Sequence, residues 1–192
     1  MSILILGLVL FLGAHAFTTL RAPRAQLIEG LGAGGYKGAY SLVSGVGLGL
    51  IIYGYGVARA QGYVQVWSPP AALGHVTALL MAVAFIAAVA SGGPNGKIKS
   101  TLKHPLLVAA KAWALGHLLV NGDLASMLLF GSFLAWAVAA RISLKSRPDA
   151  VEPPPAPWGM SDVIAIGVGL ALTVVFMIWL HPLLIGVPAM IR

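Results

Sequence analysis

Six stretches of the chain, near residues 2–20, 39–58, 71–91, 104–120, 124–140 and 162–181, are almost wholly apolar. Each approaches the length of about 20 residues that a helix needs to cross a bilayer. No other feature constrains the fold as strongly. In lipid the backbone must satisfy its own N–H and C=O groups, which leaves only helices and closed barrels. Barrel strands run for about ten residues with alternating polarity, and the sequence has no such alternation. The reading is all-α: a polytopic transmembrane helical bundle of about six spans, forming a single transmembrane domain over residues 1–192. Only 9% of the residues are charged and 59% are hydrophobic, whereas a soluble domain carries about a quarter charged. Most of the exterior must therefore face lipid.

The first run ends in Ala14-His15-Ala16, which imitates a signal-peptide cleavage site. It has no basic residues before it, and Arg21 and Arg24 follow it, so it reads as a span. The basic residues also set direction. Arg21, Arg24 and Lys37 fall in the first connection, Lys97, Lys99 and Lys103 in the third, and Arg141, Lys145 and Arg147 in the fifth. The second has only Arg59 and the fourth has none, so the odd-numbered connections are expected in the cytoplasm and both termini outside. The net charge of +7 is spread along these connections rather than pooled, which argues against nucleic acid as a partner. Membrane lipid is the partner the surface implies. The absence of cysteine excludes disulfides, thiolate ligands, iron–sulfur clusters and cysteine nucleophiles.

The connections have distinct characters. Arg21 to Gly35 reads as a loop. Asn121-Gly122-Asp123 reads as a tight turn, with Gly122 ending the fourth helix and Asp123 capping the fifth. Residues 152–158 read as a stiff polyproline-like linker, with Trp158 placed to anchor at the headgroups. The glycines from Gly45 to Gly56 would let another helix, or a flat ligand, approach the second helix closely.

Polar groups inside spans are costly and need a partner or a purpose. Here they are His15, Thr18, Thr19, His75, His104, Lys111, His117, Asn121, Asp123 and His181. Carboxylates are too few for a proton relay, paired-carboxylate hydrolysis or a hard-cation site, which leaves imidazole. Trp113, His117 and Asn121 recur every four residues and share one helix face, while His104 and Lys111 share another. Such a stripe suits a ligand-facing surface, and neutral imidazole ligates haem iron and transition metals. His75, His104 and His181 lie near span ends, where a histidine more often makes only an interfacial hydrogen bond. Lys111 can snorkel to the surface. His15 and His117 lie well inside their runs and are the candidate ligands. Their depths differ: at 1.5 Å per residue, His117 lies about 20 Å and His15 about 9 Å from the cytoplasmic ends of their helices. On depth alone, His75 or His181 would partner His117 better.

The stretches Lys103-His104-Pro105, Lys111-Ala112-Trp113-Ala114-Leu115-Gly116-His117 and Asn121-Gly122-Asp123-Leu124-Ala125-Ser126 resemble the NnrU family. So do His15 with Leu20-Arg21, Tyr36-Lys37-Gly38-Ala39-Tyr40 and Tyr53-Gly54-Tyr55-Gly56. The resemblance covers most of residues 1–140, and the C-terminal helix matches only in character. It implies a multi-pass protein of the bacterial inner membrane associated with denitrification, and it extends to a related plant isomerase that holds haem b. By motif position it implies His15 and His117 as haem (metal) ligands, with Trp113, Asn121 and Arg21 beside the cofactor. It further implies redox-dependent isomerase or oxidoreductase chemistry on a lipophilic small molecule, with respiratory or assembly proteins as partners. Where that isomerase has a cysteine this chain has Ala114, so ligand exchange onto sulfur is closed to it. Two other readings compete: a non-catalytic accessory for nitrite and nitric oxide reductases, and a membrane methyltransferase, because Lys103-His104-Pro105 resembles a cofactor-binding motif of such enzymes. The latter follow that motif with an acidic, Tyr-rich segment, whereas residues 141–192 offer only Asp149, Glu152 and Asp162.

Overall fold

The structure, a computed structural model, describes residues 1–62, 64–147 and 151–189; Asp149 lies outside them. Among the described residues the regular structure is helical. The helices are α1 (Ser2–Phe17), α2 (Arg21–Ala60), α3 (Leu73–Gly92), α4 (Lys97–Leu102), α5 (Pro105–Val120), α6 (Leu124–Lys145), α7 (Met160–Val175) and α8 (His181–Ile185), with a π-helical turn, Phe176–Leu180, joining the last two. Helices α2, α3, α6 and the continuous Met160–Ile185 are long and apolar enough to cross a membrane. Helices α1 and α5 are apolar but only 16 residues each. That is about 24 Å of rise, against roughly 30 Å of hydrocarbon. The helical membrane bundle is therefore as expected, with its six apolar runs resolved into four full-length helices and two short ones.

The chain divides into two compact units, Met1–Trp67 with Gly122–Ser143, and Ser68–Asn121 with Leu144–Arg192. In the first, α1 packs along α2 through small residues. A Cβ on Gly7 would sit 2.6 Å from the Ile51 nitrogen, and one on Gly47 would sit 2.7 Å from the Phe11 nitrogen. Gly54, seven residues on and on the same face, meets the backbone of Leu4 in the same way. Helix α6 joins this unit through Tyr55 and Ser126, whose hydroxyls are 2.8 Å apart, and through the rings of Phe11 and Phe133.

The sequence reading of Arg21 to Gly35 as a loop is corrected. The segment is helical on both sides of Gly32, which alone breaks the helix at φ 70°, ψ 161°, a conformation essentially restricted to glycine. Pro23 lies in the first turn, where its missing N–H costs nothing. The bend is sharp. The Arg24 guanidinium lies 5.6 Å from the centre of the Tyr36 ring, although twelve residues of straight helix would separate them by about 18 Å.

Gly122 also differs from its expected role. Asn121 ends α5 in an extended conformation (φ −119°, ψ 113°), and Gly122 is glycine because a Cβ there would run into the Trp67 carbonyl. Extended residues 64–67 lie against 122–124: the Val66 N–H donates to Gly122 O at 2.8 Å, and the Leu124 N–H donates to Val64 O at 2.9 Å. Asp123 does cap α6, accepting from the Ser126 N–H at 2.9 Å and the Ser126 hydroxyl at 2.6 Å.

In the second unit α3 packs against both α5 and α7. A Cβ on Gly169 would sit 2.6 Å from the Ile86 Cα, and the Phe85 and Phe176 rings meet at 5.4 Å. Asp162, which is 2% exposed, ties the unit together from below. Its carboxylate accepts from the N–H groups of Lys97 (3.0 Å), Ile98 (2.8 Å) and Gly159 (3.0 Å), so one side chain caps both α4 and α7. The Lys99 ammonium donates to the Ser91 and Gly93 carbonyls at the end of α3.

Candidate functional site

The site in the second unit starts from a close helix contact. The Thr77 hydroxyl of α3 donates to Gly116 O at 2.9 Å, and a Cβ on Gly116 would collide with the Met81 side chain. This fixes α5 one residue before His117. The half-buried His117 ring then stands 5.4 Å from Trp113, and its Nδ1–H donates to Trp113 O at 2.9 Å. Asn121, the third residue of the stripe, donates from Nδ2 to His117 O at 2.8 Å. Its amide therefore closes the end of α5.

His181 comes to the same place by a different device. Asp162, Ala165, Gly169 and Thr173 form the buried face of α7, and an unbroken α-helix would bring Leu180 onto that face. The π-helical turn Phe176–Leu180 adds a residue to the winding, so the position passes to His181. Its ring centre lies 6.5 Å from that of His117, with the planes at 26°. Gly186, at φ 78°, turns the chain so that the His181 Nδ1–H donates to Val187 O at 2.8 Å. A carbonyl accepts only from a protonated ring nitrogen. Both histidines are thus held as Nδ1–H tautomers, with Nε2 unprotonated, the form in which an imidazole can bind a metal.

The donor set here is two histidines, fewer than a bare ion takes. Among the described residues no group of three or more His, Cys, Asp or Glu could hold a metal ion, whereas a bare zinc-type site takes three or four protein ligands. Haem iron needs only axial ligands from the protein. His117 and His181, whose ring centres are 6.5 Å apart, are the residues that would supply them.

The remaining sequence candidates are placed as follows. His15 belongs to the first unit, where its Nδ1–H donates to Phe11 O at 2.7 Å. Phe11, Tyr40 and Trp136 surround its ring at 4.3, 5.4 and 5.5 Å. Arg21 is the first residue of α2. His75 is exposed near the start of α3. His104 is the N-cap residue of α5, with Pro105 in the first turn, and Lys103 pairs with Glu152 at 2.5 Å. His181 is the residue that a strict 3.6-residue period places off the interior. The usable signal for it was its depth relative to His117.

Compared with known families, residues 3–189 match the family described as NnrU protein. The match therefore runs on through the C-terminal helix that carries His181. No curated protein and no solved structure matches the chain.

Proposed function

The chain belongs to the NnrU family, and we propose that it is a haem-b protein of the bacterial inner membrane, with His117 and His181 as the residues that would hold the haem. The observation that carries this reading is the pair of like tautomers at 6.5 Å. When bound, haem supplies a one-electron couple within the membrane. The chain's own residues do the rest. Trp113 O and Val187 O hold the two rings in their ligating tautomers, Thr77 and Gly116 fix the helix that presents His117, and the apolar helices exclude water. The family supports a role in denitrification-linked respiration or in redox-dependent isomerisation of a lipophilic substrate. The distribution of basic residues supports periplasmic termini.

The test is an absorption spectrum of the detergent-solubilised protein, oxidised and reduced, after expression with ample haem. His117→Ala and His181→Ala are each expected to abolish the Soret band, and His104→Ala to leave it. No band in the parent protein would overturn the haem reading. Loss on His15→Ala with retention on His181→Ala would transfer the second ligand to His15.

A further inference from the structure

The bend at Gly32 turns the start of α2 back and leaves a cavity of about 190 Å³ between the two arms of the bend and the end of α1. Ala14 and Phe17 line it from α1, Leu27 and Leu31 from before the bend, and Tyr36 and Val43, among others, from after it. The lining is apolar side chains and aromatic rings, so what fills it is hydrocarbon. Leu27, Leu31 and Val43 are 43%, 54% and 40% exposed, which leaves the cavity open on one side. Roughly 150 Å³ suffices for the six carbons of benzene, whereas a whole drug-sized ligand needs about 300 Å³ or more. The space therefore suits a stretch of about six carbons of a longer chain.

Charge sets the polar end of that chain. Arg24, Leu27 and Leu31 follow one another at spacings of three and four, so they share one face of the helix before the bend. The Arg24 guanidinium stands 5.6 Å from the centre of the Tyr36 ring, one of the rings that line the cavity, and Arg24 is exposed. Arg21, three residues earlier, and Lys37, beside Tyr36, add two more cations around the bend. Glu29 is the one acid in residues 1–122, and, two residues past Leu27, it lies off the face that Leu27 occupies. A hydrocarbon chain lying in the cavity thus emerges beside net positive charge. We propose that the cavity holds an acyl chain of an anionic phospholipid, with the phosphate against Arg24. Such a lipid brings both parts at once, whereas a neutral diacylglycerol offers Arg24 no anion and a free phosphate leaves the cavity unfilled. The inference rests on the membrane reading of the chain and is independent of haem.

Native mass spectrometry of the full-length protein in an uncharged detergent counts bound lipid directly. The probes are dioleoyl-phosphatidylglycerol and dioleoylglycerol, which have the same chains with and without the phosphate. The phospholipid is expected to bind saturably and more tightly than dioleoylglycerol, and added salt should shrink that difference. Arg24→Gln keeps a polar side chain and removes the charge. It should weaken the phospholipid about 5-fold, the worth of one Lys or Arg against an anionic lipid surface, and leave dioleoylglycerol unchanged. Ala39→Phe, which fills part of the cavity, should weaken both. Circular dichroism checks that each variant is folded. Equal affinity for the two lipids would overturn the proposal and mark the cavity as a groove for lipid tails of any head group. An unchanged phospholipid affinity in Arg24→Gln, a preference insensitive to salt, or binding untouched by Ala39→Phe would also overturn it. The readout uses no haem absorbance, so its failure leaves the His117–His181 reading standing.

Discussion

Replacing Asp162 tests the architecture of the second unit most directly. Its carboxylate accepts three backbone N–H groups at 2.8–3.0 Å and is 2% exposed. Hydrogen bonds to a charged group each contribute about 1.5–3 kcal/mol. The three share one acceptor, so their losses do not add in full, and Asp162→Ala should cost about 3–5 kcal/mol. Native stabilities are about 5–15 kcal/mol, so this is a large share of the total. At roughly 2–4 °C per kcal/mol for a chain of this size, the thermal midpoint in detergent should fall by about 6–20 °C. Asp162→Asn keeps one acceptor oxygen and should lose about half as much. Hydrogen exchange should quicken selectively at Lys97, Ile98 and Gly159. A midpoint for Asp162→Ala within about 2 °C of the parent protein, or an Asn variant worse than Ala, would refute the double-cap account.

Gly47→Leu should drive α1 off α2, because even a Cβ would stand 2.7 Å from the Phe11 nitrogen; loss of a cooperative thermal transition in detergent is the expected result. Gly32→Ala should cost about 1–3 kcal/mol, because φ 70°, ψ 161° is a glycine conformation. If the variant instead straightens α2, distance measurements between spin labels at positions 24 and 36 should lengthen from the bent value.

The helices were legible because long apolar runs leave the backbone no alternative in lipid. The capping role of Asp123 was legible because it depends on neighbours three residues away. Gly32 was not: the basic and glycine-rich stretch around it reads as a loop, and only the return of Arg24 to Tyr36 reveals a bent helix. Asp162 looked like one of a few scattered acids, because its partners Lys97 and Ile98 lie more than 60 residues away. His181 was set aside for a related reason. Its placement beside His117 depends on one π-helical turn, and hydrophobic periodicity carries no record of such a turn.

Many polar groups of the apolar helices follow one pattern, and two departures from it are informative. Thr18, Thr19, Ser91, Ser132 and Thr173 each donate to a carbonyl three or four residues back, as do the ring nitrogens of His15 and His117. In hydrocarbon this is the cheapest satisfaction available. Tyr36 OH and Ser44 Oγ, both on α2, are buried without any partner. If these hydroxyls served only the fold, removing them would be harmful or neutral. If they are simply unmet, the protein bears their desolvation, about 1–3 kcal/mol for each group. Tyr36→Phe combined with Ser44→Ala should then raise the thermal midpoint of the ligand-free protein by several degrees. A lowered midpoint in the double variant would show that the hydroxyls stabilise the fold and would refute the desolvation account.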